Sequence, residues 1–349
     1  MNLPNILPLA LGLIIFSFLI NSVLIVPFID ILYKLKFTKR EEGGKNKSLF
    51  DKLHDIKAGT PTGGGILIVI VVTILFAVLF PLASYLGVYI STSYKLSNEL
   101  FIIFFTFVSF GILGLMDDIL KIFGKAKAGR FGYLVGMSRR TKLIIQFILA
   151  GIVAFWLYHF LGIRFIHLPL LPKVIDLGVF YIPFAMLVIV FFTNAFNFTD
   201  GLDGLASGLL AIYLFAFIVI AAGNLDTPLS IFMALWIGAI MAFLYFNVYP
   251  ARIWLGDTGA LSFGAMIAVI GLVTGNVAPL FVIGGIFVIE ALSSVIQILG
   301  WKLLDRPIFP LAPIHHAFLA VGWEEPKIVT SAWLAGIMLA ILGLWLAKI

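Results

Sequence analysis

Gly64–Ala83, GGILIVIVVTILFAVLFPLA, is twenty consecutive residues with no charge and one hydroxyl, at Thr73. As an α-helix such a run covers about 30 Å, the thickness of a bilayer's hydrocarbon core. Lipid cannot satisfy an open backbone, so a segment of this kind crosses as a helix. It lacks the period-two alternation of membrane barrel strands, which excludes a β-barrel. Similar runs recur along the 349 residues, of which 62% are hydrophobic and 11% charged. Soluble domains carry about 25% charged residues. The runs predict ten spanning helices near 6–32, 64–90, 98–122, 141–160, 179–196, 205–222, 228–247, 260–276, 279–302 and 329–347. The fold class is an all-α polytopic membrane protein, with residues 1–349 as one transmembrane catalytic domain.

Charge then orients the helices. With the N-terminus outside, five connections fall inside, near 33–63, 121–142, 194–206, 248–259 and 302–328. They hold 19 of the 23 Lys and Arg residues, leaving Lys95, Arg164, Lys173 and Lys348 for the other side. The positive-inside rule makes those five loops cytoplasmic and places both termini outside. The net charge of +6 therefore reports topology and not nucleic-acid binding. The first apolar stretch, Ile6 to Phe28, has no basic leader and reads as a retained helix. The chain has no cysteine, so thiolate metal sites and disulfides are excluded.

Five polar clusters interrupt the apolar background, each in or beside one of these loops. Lys57-Ala58-Gly59-Thr60-Pro61-Thr62-Gly63-Gly64-Gly65 opens the second helix, where free N–H groups and the dipole can receive an anion; tight packing alone also produces glycine-rich helix entrances. Asp117-Asp118, followed by Lys121, stands at the inner end of the third helix. Adjacent helical residues point about 100° apart, so one carboxylate can face a cleft while the other orients a partner. Asn194 to Gly204 (NAFNFTDGLDG) carries Asn197, Asp200 and Asp203; the two aspartates share a face if that turn is helical. Asn247 to Gly259 (NVYPARIWLGDTG) carries Trp254, suited to stacking on a flat ring, and Asp257, an exposed hard-oxygen ligand of the kind Mg²⁺ prefers. Arg306 to Lys327 carries His315 and His316, which can bind a metal or a phosphate oxygen.

Helices two, six and eight all start at this face, so their positive ends can converge on an anion. Carboxylates on the same surface would repel phosphates unless Mg²⁺ and Lys57 intervene. That combination suits phosphoryl transfer, which needs positioning, charge neutralisation and a bridging metal. At a membrane it implies one soluble nucleotide-linked substrate and one lipid-linked substrate.

On these residues the chain resembles the polyprenyl-phosphate N-acetylhexosamine-1-phosphate transferase superfamily, from Lys57 to the last helix. The superfamily motifs are Asp117-Asp118, Asn197–Gly204 and Gly256-Asp257. The stretches Gly136–Lys142 (GMSRRTK) and Ile308–Lys327 (IFPLAPIHHAFLAVGWEEPK) are similar to the phospho-N-acetylmuramoyl-pentapeptide transferase branch. The resemblance implies transfer of phospho-N-acetylmuramoyl-pentapeptide from UDP to undecaprenyl phosphate, giving lipid I and UMP, with Mg²⁺, at the cytoplasmic face of a bacterial inner membrane. It implies that Asp257 is the metal ligand and that Asp117, Asp118, His315 and His316 are catalytic with it. Lys57, Asn197, Asp200, Gly201, Leu202 and Trp254 match the nucleoside-binding surface, and Thr62, Lys121, Lys142, Asp203 and Asn247 complete the candidate substrate-binding set. Partners on this reading are UDP-MurNAc-pentapeptide, undecaprenyl phosphate and membrane lipid, with room for a homodimer. Trp254 stands where the family usually has phenylalanine, Ala317 replaces the third of three histidines, Leu319 an acidic residue, and Pro307 interrupts a stretch normally basic.

Three other readings compete. A sister enzyme would pass GlcNAc-1-phosphate to a polyprenyl phosphate, and Ala317 would suit a degenerate homologue. A transporter would use the intramembrane Glu290 to line an ion path, although transporters place binding groups near the midplane and here they gather at one surface.

Overall fold

The computed structural model of the protein describes residues 6–38, 59–124, 136–167, 169 and 174–348. Lys57 lies outside the described residues. Twelve α-helices account for most of them: α1 (Ile6–Lys34), α2 (Gly64–Tyr85), α3 (Leu96–Phe123), α4 (Arg139–His159), α5 (Tyr181–Thr199), α6 (Leu205–Gly223), α7 (Thr227–Asn247), α8 (Gly256–Val273), α9 (Val277–Ile283), α10 (Gly285–Leu304), α11 (Ile314–Ala320) and α12 (Glu325–Leu346). All except α9 and α11 are long and apolar enough to span a bilayer, so the ten expected spans are present. A two-stranded antiparallel ribbon, β1 (Phe165–His167) with β2 (Val174–Asp176), joins α4 to α5.

The boundaries move for local reasons. The second span ends at Tyr85 and not near 90, because Gly87 takes a left-handed φ of +85° and its N–H turns back to the Ser84 carbonyl, a glycine-dependent helix stop. The eighth begins at Gly256 and not near 260, so Asp257 belongs to its first turn. The ninth is broken: α9 and α10 meet at Gly284. The short helix α11 carries both histidines.

At the centre of the bundle stands α8, which packs on α2, α3 and α5. Its spanning window is 89% buried within the protein, against 22% for α1 and 28% for α4. Small residues allow this crowding. A Cβ on Gly65 would come within 2.3 Å of Gly259 Cα, where α2 crosses α8. One on Gly114 would come within 2.1 Å of the Asp257 carbonyl oxygen, where α3 meets the start of α8. Aromatic rings fill the space beyond these crossings, with Phe107, Phe232, Trp236 and Phe263 in mutual contact.

Candidate active site

The start of α8 organises the polar end of the bundle. Gly256, with φ +77°, turns the chain into the helix in a conformation that a side chain would disfavour. The first N–H groups of a helix lack internal partners, and here Asp118 supplies them. Asp257 N–H donates to Asp118 Oδ1 at 2.9 Å, and Thr258 N–H and its hydroxyl donate to Asp118 Oδ2 at 2.9 and 2.8 Å. Gly114, one turn before Asp118 on α3, brings the two helices close enough for this contact. Asp118 is thus a buried carboxylate cap for a helix distant in sequence.

Asp117 turns the other way. Its Oδ1 accepts the Met137 N–H at 2.8 Å. Its Oδ2 pairs with Lys142 Nζ at 2.8 Å and Lys121 Nζ at 3.1 Å. Both ammonium groups also reach Asp257 Oδ2, Lys142 at 2.5 Å and Lys121 at 2.6 Å. Asn197 Nδ2, at the end of α5, donates to Asp257 Oδ1 at 3.3 Å. Three helices, α3, α4 and α8, therefore deliver two carboxylate oxygens and two cations to one point, and α5 adds the Asn197 amide. Asp257 is not the exposed ligand expected, because the first turn of α8 draws it inward and leaves its side chain 13% accessible.

Two hard oxygens facing one locus that demands positive charge suit Mg²⁺, which binds through one or two carboxylates together with substrate phosphates. Among the described residues no group of three or more His, Cys, Asp or Glu side chains could hold a metal without such help. Asp257 and Asp117 are the residues that would hold such an ion.

The remaining candidates build the walls. Asn247 is buried, accepting from the Ser207 hydroxyl at 2.6 Å and donating to the Ile253 carbonyl at 3.0 Å, so it locks the loop 248–255 and is not exposed to a ligand. The turn 200–204 is not helical, so the condition for Asp200 and Asp203 to share a helical face is not met. Instead Asp203 Oδ2 accepts the Ala251 N–H at 2.9 Å, while its own N–H donates to Glu325 at 2.7 Å. Leu202, next to Asp203 in the chain, is buried. Trp254 is only 7% exposed, too enclosed to offer a free ring face. Its backbone bonds to Pro61 and Gly64 at 2.8 Å each, beside a bridge to Thr62. These bonds also correct the anion-binding expectation for two helices: the Gly64 and Gly65 N–H groups of α2 go to the Trp254 and Leu255 carbonyls, and those of α8 to Asp118. A backbone strap and a carboxylate already complement both helix ends.

A second group lies beside the first. Gly201, four residues after Asn197, has the His315 imidazole against it: a Cβ there would lie 2.4 Å from Nε2. His316 is buried with its ring centroid 4.2 Å from that of His315. Glu290 Oε2 lies within hydrogen-bonding distance of His315 Nδ1, at 2.9 Å, so this intramembrane carboxylate is engaged with the histidine. Glu290 and Glu325 were not among the sequence-derived site residues; an acidic residue within a span was the available signal for the first, and a place in the GWEEPK segment of the fifth polar cluster was the signal for the second.

Residues 100–275 match the model of Glycosyl transferase family 4. The chain is 38% identical over 340 residues to phospho-N-acetylmuramoyl-pentapeptide-transferase of Bacillus velezensis, covering 95% of this chain and 96% of that protein. The same-named proteins of Bacillus subtilis (35%, covering 95% and 96%) and Clostridium perfringens strain 13 (38%, covering 91% and 92%) are similar in the same way. Matches of this length and identity, over nearly the whole of each chain, place the protein in the phospho-N-acetylmuramoyl-pentapeptide transferase family.

Proposed function

We propose that the protein transfers phospho-N-acetylmuramoyl-pentapeptide from UDP-MurNAc-pentapeptide to undecaprenyl phosphate, giving lipid I and UMP. The observation that carries this reading is the point where Asp117, Asp257, Lys121 and Lys142 meet. The reaction exchanges one phosphoanhydride for another: an oxygen of the lipid phosphate bonds to the sugar-linked phosphorus, and UMP leaves with the electron pair. Charge accumulates on the phosphoryl oxygens during that exchange, and fixed cations beside it lower the barrier. Lys121 and Lys142 supply those cations and orient the phosphates. Bound Mg²⁺ would add Lewis-acid neutralisation of the diphosphate. Asn197 steadies Asp257, and Asp118 keeps α8 in register with α3 so that Asp117 and Asp257 stay opposed.

The charge bias supports a cytoplasmic site in a bacterial inner membrane, with both termini outside, where the soluble nucleotide substrate is available. Homodimerisation belongs to the same reading, and nucleic acid has no part in it. The test is release of UMP from UDP-MurNAc-pentapeptide by purified protein in detergent. Release that requires both Mg²⁺ and undecaprenyl phosphate is the expected result. Labelled lipid formed from UDP-GlcNAc instead would favour the sister transferase, and no turnover with either sugar would mark a degenerate homologue.

A further inference from the structure

Glu290 lies in α10, 3% exposed, and its Oε2 is 2.9 Å from His315 Nδ1 and 3.4 Å from the His315 backbone N. Ser293, on the same helix, accepts the Ile314 N–H at 3.0 Å. Thus α10 holds the start of α11 at adjacent points. An ionised carboxylate only accepts hydrogen bonds, so one facing Nδ1 selects the tautomer with the proton on Nδ1 and, in the neutral ring, the lone pair on Nε2. That Nε2 is buried and has no hydrogen-bond partner among the described residues. It rests against Gly201, whose backbone is not in the left-handed region. The glycine is therefore needed there for space and not for conformation. Gly201 continues from Asn197, which borders the Asp117–Asp257 cluster.

We propose that Glu290 and Gly201 are positioning residues for His315, holding it as the Nδ1–H tautomer with Nε2 presented to an oxygen of a phosphate monoester. The inference rests on the transferase reading, in which that monoester is the lipid acceptor. A monoanionic monoester carries one O–H. Its proton passes to the Nε2 lone pair, leaving a phosphate dianion beside an imidazolium that faces Glu290. A third group that orients a histidine in this way fixes which nitrogen can act. The Glu290 position is 25 residues from His315, and no motif links the two.

The experiment combines spectroscopy with kinetics. The chain has five histidines, so ¹⁵N-histidine labelling in nanodiscs gives few imidazole signals, with His315 assigned from the spectrum of His315→Gln. Wild type should show His315 as the Nδ1–H form. Glu290→Leu should move it towards Nε2–H and lower kcat by about tenfold or more, the range for loss of an orienting partner, with KM for UDP-MurNAc-pentapeptide changed less than about twofold. Glu290→Gln keeps a carbonyl acceptor and should retain both the tautomer and most of the rate. Gly201→Ala should displace the ring and lower kcat in the same way. An Nε2–H form in wild type, or a wild-type tautomer and rate in Glu290→Leu, overturns the proposal. If Glu290→Leu fails to insert, the wild-type spectrum still decides. The spectra need no substrate, so the expected tautomer in a protein without transferase activity would refute the function and not this geometry. Full activity with the wrong tautomer would refute this proposal alone.

Discussion

Asp118 commits its carboxylate to the backbone and hydroxyl at the start of α8, whereas Asp117 meets two ammonium groups and one backbone N–H. The difference predicts opposite phenotypes for Asp118 and for Asp257, which shares both lysines with Asp117. Asp118→Ala leaves two buried helix N–H groups without acceptors, at about 1–3 kcal/mol each, and should lower thermal stability in detergent measurably. Asp257→Asn should leave unfolding close to wild type, because both lysines keep Asp117 as a partner, yet reduce turnover more than tenfold. A residual rate above about a tenth of wild type, a deficit below roughly 1.4 kcal/mol, would remove Asp257 from the centre of the chemistry. The adjacent aspartates were legible in the sequence as a pair with divided roles. Which one caps α8 was not, since its partners lie 139 and 140 residues away. Trp254 was misread for a related reason: a ring at an interface looks available until the strap through Pro61 and Gly64 encloses it.

At the scale of helices, hydropathy located all ten spans because each must satisfy the same lipid thickness. It could not locate the break at Gly284, where packing and not hydropathy interrupts the ninth. Nor could it show which glycines are contact points. Gly114 permits the approach of α3 to α8, and the prediction there is specific. Gly114→Ala puts a methyl group 2.1 Å from the Asp257 carbonyl oxygen and 2.6 Å from Thr258 Cα. Backbone must shift to accept it, at about 1–3 kcal/mol for overpacking. The Asp118 bonds should lengthen, and kcat should fall together with stability. Gly12→Ala, with nothing within 4 Å of the added carbon, is the matched control and should be silent. Equal behaviour of the two variants would show that the α3–α8 crossing is not tight.

The whole molecule carries its topology in its charges. A chain without cysteine suits single-cysteine labelling with a membrane-impermeant thiol reagent. Tyr89→Cys and Val179→Cys, exposed at one end, should react in intact spheroplasts. Tyr249→Cys and Arg306→Cys, exposed at the other, should react only after permeabilisation. The reverse pattern would invert the orientation and put the charged cluster outside. The sequence-based reading of this end as one polar face survives in the links from Asp203 to Ala251 and Glu325, which bind three loops together. The links themselves were illegible, because each joins segments whose separation in the chain says nothing of their separation in space.

The enclosure of α8 has a consequence for biogenesis. Its spanning window has a mean hydropathy of 1.6, against 3.2 for α2, and it offers lipid almost no surface. Membrane helices assemble through packing contacts after insertion, and this one gains its contacts only once α2, α3 and α5 surround it. A nascent chain leaving the ribosome therefore carries Asp257 as an inert residue on a poorly anchored segment. Competence arrives with assembly, so a folding defect anywhere around α8 would be read as an enzymatic defect long before any reactive group is touched.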